Sequence, residues 1–187
     1  MAAAHAIRRA TLADIPALNR LIAESADKLG AGFYTPAQTA ALSREVFSVD
    51  SQLVEDGTYF VIDDAGRPVA CGGWSRRSTK FGGDKMKTAP DRLLDPATEP
   101  ARIRAFFVAP AMARRGCGSA LMRHCTGAAA AAGFRRMELV ATMPGVPLYL
   151  AHGFAVAERF DLMLAGGAVA APMALMTRAI GCSALIK

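Results

Sequence analysis

A short apolar strand that leads through a basic, glycine-containing loop into a helix is the feature that most constrains this chain. The segment from Phe106 to Met122 reads FFVAPAMARRGCGSALM, with two arginines and two glycines between the apolar residues and an alanine-rich helical pattern. Units in which a strand alternates with a helix are typical of α/β folds. The segment therefore predicts an α/β architecture.

The loop inside this segment is suited to an anion. Free N–H groups at a helix N-terminus attract anions, and glycine lets a phosphate approach the backbone closely. Arg114 and Arg115 add fixed positive charge, so the loop indicates a phosphate-bearing ligand. An isolated Gly-x-Gly more often marks an ordinary tight turn, and that alternative stays open from these residues alone. The spacing lacks the Gly-x-Gly-x-x-Gly of dinucleotide sites and the Gly-Lys-Ser/Thr of P-loops.

Periodicity and turn residues predict the order β-α-α-β-β-β-α-β-α-β-β, which is an α/β domain with a mixed sheet. Residues 76–100 are polar and contain several Gly and Pro residues, so we expect a long surface excursion there. The predicted strands span residues 7–10, 58–63, 68–74, 103–108, 137–141, 153–158 and 172–178. The predicted helices span 11–28, from just after Pro36 to about Phe47, 119–132 and 146–152.

The composition limits the classes of protein to which this chain can belong. A length of 187 residues with 52% hydrophobic residues suits one domain spanning 1–187. The formal net charge of +6 suits an anionic ligand. The basic residues are scattered, however, and no recognition helix or aromatic-basic motif is visible, so nucleic-acid binding is a weak third interpretation.

The sequence gives little support for a metal-binding, membrane-spanning or secreted protein. The four cysteines form no CxxC pair, and no histidine lies close enough to a pair of cysteines to suggest a metal site, so we expect none. The N-terminus has no apolar core typical of a signal peptide. The apolar stretch 162–176 is short and interrupted by Gly166, Gly167 and Pro172, so we expect no membrane span. Free thiols without a signal predict a cytoplasmic protein.

Two motifs about thirty residues apart then carry a resemblance to a known family. Arg115-Gly-Cys-Gly118-Ser-Ala120 matches the Arg/Gln-x-x-Gly-x-Gly/Ala signature of GNAT acetyltransferases. Leu148-Tyr149-Leu-Ala-His-Gly153-Phe154 resembles the second signature of that family. The predicted strand 137–141 lies between the two motifs, as in the family. Phe33-Tyr-Thr-Pro and Phe-Gly-Gly-Asp at 81–84 are similar to a bacterial subgroup of small GNAT proteins with undefined acceptors.

The resemblance covers about residues 6–180, leaving 181–187 as a tail. It implies the GNAT fold, a mixed central sheet of about six to seven strands flanked by about four helices. Two neighbouring parallel strands of that fold, here 103–108 and 137–141, would splay apart and hold the pantetheine arm of acetyl-CoA between them. Acetyl-CoA would be the cosubstrate, and no metal would take part.

Residue roles also follow from the resemblance. Tyr149 would protonate the departing CoA thiolate, since a phenol with a pKa near 10 suits that proton transfer. The cofactor-binding residues would be Phe106, Phe107 and Val108 on the strand, Arg114, Arg115, Gly116, Cys117, Gly118, Ser119 and Ala120 in the loop, and Thr142, where the family often has Asn. We also expect the Cys117 thiol to react with alkylating agents unless CoA covers it.

The sequence does not identify the general base. Residues 101–108 contain no Asp, Glu or His, so Glu138 on the next strand is the nearest carboxylate. Glu138 would act directly or through water. It is also compatible with an ordinary solvated or ion-paired strand residue. A water relay to bulk solvent, or an amine that arrives partly neutral, would need no base at all.

The acceptor is the least constrained part of the interpretation. The acceptor-pocket candidates are Tyr34 and Trp74, with Arg76, Asp161, Glu24 and Asp27 as further surface candidates. The leading hypothesis is transfer of the acetyl group of acetyl-CoA to a primary amine, on a small molecule or a peptide, by direct attack. The alternative is a non-catalytic CoA-binding regulatory domain of the same fold. The resemblance is compatible with a homodimer, and we expect neither nucleic acid nor a membrane as a partner.

Overall fold

The computed structural model describes residues 6–87 and 91–180. The predicted tail 181–187, Cys182, residues 88–90 of the predicted excursion and the first five residues lie outside the described residues. Seven strands form one mixed sheet in the order β1-β2-β3-β4-β5-β7-β6. Their bounds are β1 Ile7–Arg9, β2 Tyr59–Asp64, β3 Arg67–Ser75, β4 Ala101–Val108, β5 Arg136–Thr142, β6 Ala155–Leu164 and β7 Val169–Ala179. Only β4 and β5 pair in parallel, while the other neighbours pair antiparallel.

Five α-helices accompany this sheet in the described part of the chain, one more than the four predicted. They are α1 Ile15–Gly30, α2 Pro36–Glu45, α3 Ser51–Glu55, α4 Cys117–Ala131 and α5 Val146–Ala151. The additional helix, α3, has only five residues, too few for a hydrophobic period to be recognised. The α/β fold class is confirmed.

Thr11 and Asp14, three residues apart, form a capping box at the entry to α1. The Thr11 backbone N–H donates to the Asp14 carboxylate at 2.7 Å, so the turn Leu12–Asp14 leads directly into α1. Leu18 and Ile22 on one face of α1 are buried, as the spacing predicts. Each fully buried side chain of this kind stabilises the fold by about 1.5–3 kcal/mol.

Helices cover both faces of the sheet. Leu121 and Met122 of α4 pack with Met137 and Leu139 of β5 on one face. On the other face, α1 packs with α3 and β2, through a cluster that includes Leu53 and Val61. The face with α4 also carries α5, because Val146 and Tyr149 belong to its core cluster.

The C-terminal strands are longer than predicted. Gly166 and Gly167 interrupt the apolar stretch 162–176, and the structure uses them, both with positive φ, in the turn of a hairpin between β6 and β7. No described helix combines the length and hydropathy that would be needed to cross a membrane.

The polar segment 76–100 follows the surface, and its described residues are fixed to the rest of the molecule. Arg77 pairs with Asp56 at 2.7 Å and forms a β-bridge with Leu93. Arg104 of β4 donates to the carbonyl of Thr79 at 2.9 Å and also to that of Gly82. These contacts hold residues 79–82 beside the middle of β4.

Candidate active site

A cavity opens where β4 and β5 separate. The two strands pair only at Ala101 with Met137 and at Arg102 with Glu138. Farther along, Phe106 to Val108 and Thr142 line a cavity of about 160 Å³. The splayed parallel strands expected from the resemblance are therefore present, with open space between them.

A β-bulge shapes β4 at this point. Cys71 of β3 pairs with Phe107, whereas Gly73 pairs with Arg104, so β4 carries one extra residue. Ala105 takes up the irregularity with φ of +52°, and the buried hydroxyl of Tyr59 donates to its carbonyl at 3.0 Å. The bulge redirects the chain immediately before the cavity-lining residues.

The backbone of β4 presents polar groups to the open side of the strand. The Ala109 N–H donates to Val69 on the β3 side at 2.8 Å. Because backbone groups alternate along a strand, the Val108 N–H points the other way, where it meets the Ser25 hydroxyl at 3.4 Å. This edge is suited to pairing with an extended amide-containing ligand.

The loop from Arg114 to Ala120 forms the N-terminus of α4 at one end of the cavity. Arg114 and Gly116 have φ of +62° and +89°, and residues 114–116 in this bend are exposed, whereas the first turn of the helix is buried or half-buried. Gly118 lines the larger cavity, and a Cβ at this position would lie 3.0 Å from Leu148. The N–H groups of a first helical turn have no intrahelical partner, so the loop can cradle an anionic group.

Some side chains of this loop contact the rest of the protein. Cys117 is only 1% exposed, and burial raises the pKa of its thiol. The expectation that Cys117 reacts readily with alkylating agents is therefore wrong for the folded chain, because reaction needs an accessible thiolate. Ser119 shares a hydrogen bond of 2.9 Å with Nε2 of His152, which joins the loop to the end of α5. Ala120 is partly buried against the core.

Tyr149 lies between the two strands. It lines the larger cavity and also a second cavity of about 60 Å³. Its ring packs edge-on against Phe106 and Phe154 at centroid distances of 6.4 and 6.0 Å. The side chain is 8% exposed, and burial raises the pKa of its phenol above the ordinary value near 10. The phenol therefore stays protonated at neutral pH and is able to donate a proton.

Two further predicted residues reach the same space. Thr142, at the end of β5, lines both cavities. Tyr34 lines the larger one. Its hydroxyl donates to the Pro172 carbonyl at 2.8 Å and accepts from the Met143 N–H at 3.0 Å, so it ties the segment before α2 to β7 and to the end of β5.

Other predicted residues are not brought to the cavities. Trp74 is 5% exposed and packs edge-on against Phe134 at 5.9 Å within the core. Glu138 accepts from Arg102 at 2.5 Å and lies 3.4 Å from the ammonium of Lys80. Neither lines a cavity, because Trp74 points into the core beside α4 and Glu138 lies on the paired start of β5. The surface candidates Arg76, Asp161, Glu24 and Asp27 do not line the cavities either.

The second cavity contains residues that sequence reasoning did not identify. Lys80 and Phe81 from the polar segment line it together with Phe47 and Arg104. One signal was available for Arg104, since Arg102 and Arg104 interrupt an otherwise apolar strand and buried charges need specific partners. Among the described residues, no group of three or more His, Cys, Asp or Glu side chains could hold a metal ion.

Comparisons with known proteins agree with this geometry. The model of the acetyltransferase (GNAT) family matches residues 24–154. No curated protein sequence matches the chain at a significant level. Solved structures share the fold at low sequence identity. One of them is a GCN5-related N-acetyltransferase from Rhodopseudomonas palustris. It has 16% identity and a TM-score of 0.67, with 96% of this chain and 98% of that chain covered.

Two of the similar structures contain the cofactor. The PaiA N-acetyltransferase of Thermoplasma acidophilum, in complex with coenzyme A, has 14% identity and a TM-score of 0.64, with 94% and 99% of the two chains covered. A phosphinothricin acetyltransferase from Sinorhizobium meliloti, in complex with AcCoA, has 20% identity and a TM-score of 0.63, with 97% and 90% covered. At these identities the comparison establishes a common fold.

Proposed function

The chain belongs to the acetyltransferase (GNAT) family, and from this premise we propose that it transfers the acetyl group of acetyl-CoA to a primary amine. The observation that carries the proposal is the open space between β4 and β5, which pair only at their first residues. The cavity in that space is lined by Phe106, by Gly118 of the anion-binding loop and by Tyr149. One continuous cleft thus contains a strand edge, a helix N-terminus and a proton donor.

We propose that the chain holds acetyl-CoA through its backbone. The outward-facing groups of Phe106 to Val108 would pair with the pantetheine amides, and the first turn of α4 would bind the pyrophosphate. Residues with side chains larger than hydrogen fit poorly at Gly118, because a Cβ there already meets Leu148 at 3.0 Å. The exposed Arg114 and Arg115 would add attraction for the phosphates. Thr142 would offer its hydroxyl to the arm from the opposite strand.

The proton balance of the reaction rests on Tyr149 and on solvent. Acetyl-CoA supplies the thioester carbon that the amine attacks and the sulfur that leaves. Tyr149 would give its proton to the sulfur as the C–S bond breaks. Burial that raises the pKa of the phenol would also raise the basicity of a thiolate in the same space, which keeps the transfer favourable. The amine nitrogen would lose its proton to water.

Glu138 fits the role of general base poorly. Its carboxylate accepts from Arg102, which is itself buried, and lies outside both cavities. We therefore propose that solvent, rather than Glu138, takes the proton, which is one of the alternatives that the sequence left open.

The first test combines titration calorimetry with a thiol-release assay. We expect acetyl-CoA to bind with micromolar affinity and CoA thiol to be released with at least one class of amine. Tyr149→Phe should lower kcat about 100-fold, within the range typical of a general acid, while acetyl-CoA affinity and Tm stay the same. Binding without turnover for any amine would favour a non-catalytic CoA-binding domain, and an absence of binding would overturn the proposal.

A further inference from the structure

The charged side chains that face the cleft are positive. The larger cavity is lined only by uncharged residues, and the smaller one has Lys80 and Arg104 in its wall. No acidic side chain of the described residues lines either cavity. An amine acceptor therefore enters a space that has no carboxylate to attract its positive charge.

Arg104 is held by the fold through its two terminal nitrogens, while its buried Nε has no hydrogen-bond partner among the described residues. Its side chain is 2% exposed and pairs with Asp50 at 2.9 Å, and it also donates to the carbonyls of Thr79 and Gly82. The same carboxylate of Asp50 receives Lys87 at 2.6 Å. Arg104 thus holds the polar segment in place through its terminal nitrogens.

Lys80 differs from Arg104 in both exposure and pairing. Its side chain is 51% exposed, and its ammonium lies 3.4 Å from Glu138. Glu138 is held more closely, at 2.5 Å, by Arg102, whose side chain is 8% exposed. The Glu138 carboxylate is therefore shared between two cations, Lys80 and Arg102. An ammonium has three donors, so Lys80 can bind a second anion beside the cavity.

We infer that Lys80 binds a carboxylate of the acceptor, and that the acceptor is a small amino acid-like molecule carrying both an amine and an acid. This inference rests on the proposed function. The small volume of the Lys80-lined cavity, about 60 Å³, suits a compact carboxylate-bearing end. Polyamines and aminoglycosides carry several positive charges and no acid, so the same wall repels them.

The test uses acceptors in matched sets of three. Each set contains an amino acid, its carboxamide and the amine left after decarboxylation, and thiol release gives kcat/KM for every member. We expect the wild-type protein to prefer the amino acid at least about tenfold, as a charge-assisted hydrogen bond allows. Lys80→Gln should remove most of that preference, and Lys80→Glu should shift it toward the amides and amines.

Lys28→Gln is the matched control, because Lys28 is 65% exposed, pairs only with Asp27 and lines neither cavity. It should retain the wild-type preference, and all variants should keep the wild-type affinity for acetyl-CoA. Equal use of the three acceptor forms, or an unchanged preference in Lys80→Gln, would overturn the inference while leaving acetyl transfer intact. A lack of thiol release with every acceptor would instead reject the proposed function itself.

Discussion

The three cysteines of the described residues are all buried, although they lie on different parts of the fold. Cys71 on β3 and Cys125 on α4 are 0% exposed, and Cys117 at the start of α4 is 1% exposed. Burial raises the pKa of the Cys71 thiol to about 12 and also raises that of Cys117 and Cys125. A raised thiol pKa means less thiolate at every pH below it, and thiolate is the reactive form.

This arrangement predicts slow labelling of the native protein. With Cys182→Ser, which removes the one cysteine outside the described residues, a maleimide at pH 8 should modify the folded chain far more slowly than the chain in denaturant. The rate should be the same with and without CoA, because packing rather than ligand covers Cys117. Mass spectrometry after timed quenching measures both rates. Rapid labelling of Cys117 that CoA suppresses would contradict this expectation.

At the scale of secondary-structure elements, α4 provides a paired experiment on glycine. Gly118 borders the larger cavity and would bring a Cβ to 3.0 Å from Leu148, whereas a Cβ on Gly127 would meet nothing within 4 Å. Both glycines belong to the same helix. Substitutions at the two positions therefore distinguish an effect on ligand access from an effect on helix propensity.

Gly118→Val should weaken acetyl-CoA binding about tenfold or more, since one lost charge-assisted hydrogen bond costs about 1.5–3 kcal/mol. Gly127→Ala should leave binding unchanged and stabilise the fold by about 0.5–1 kcal/mol, as expected for an exposed helix interior. Calorimetry gives the affinities and urea unfolding gives the stabilities. Unaltered affinity in Gly118→Val would show that the loop does not contact the phosphates.

The elements that sequence predicts well are those specified by local signals. The strand–loop–helix around Gly118 and the capping of α1 by Thr11 and Asp14 depend on neighbouring residues, so their patterns are visible in the chain. Trp74 and Glu138 are different. Which way Trp74 points and which cation holds Glu138 depend on contacts with Phe134 and Arg102, which lie far away in sequence. Composition and spacing carry no information on such partners.

The residues of the second cavity could not be predicted from the sequence for the same reason. Lys80 belongs to a polar segment without hydrophobic periodicity, and it reaches the cleft only because Arg104 holds residues 79–82 against β4. The bulge at Ala105 could not be predicted from the sequence either, since alanine is an uncommon residue at positive φ. The family signatures predicted the cofactor half of the proposed site, while the residues proposed for the acceptor half come from the tertiary structure.

At the scale of the whole molecule, ion pairs join different elements of the fold. Arg8 pairs with Asp14 at 2.9 Å, and Arg77 pairs with Asp56 at 2.7 Å. The adjacent guanidinium lowers the pKa of each carboxyl below its ordinary value. A lowered folded-state pKa gives stability that is present above the unfolded-state value, near 3.9, and is lost as the pH falls below it.

The contribution of these two ion pairs to stability should therefore be constant above about pH 5 and decrease as the pH falls below about 4. Arg77→Gln should lower the Tm at pH 7 by about 2–4 °C per kcal/mol lost, and the difference from wild type should shrink as the pH falls and Asp56 becomes protonated. Arg44→Gln serves as the control, because Arg44 is 65% exposed and pairs with its neighbour Glu45. Scanning calorimetry across pH measures these shifts. A pH-independent effect of Arg77→Gln would point to packing instead of charge.

Trp74 is the single tryptophan of the sequence, and its indole is buried beside Phe134, away from both cavities. Its indole N–H is without a hydrogen-bond partner among the described residues. The molecule thus contains a built-in optical reporter with a blue-shifted emission in the native state. Excitation of this one chromophore follows the opening of the core, and ligands that fill the cleft leave its spectrum largely unchanged.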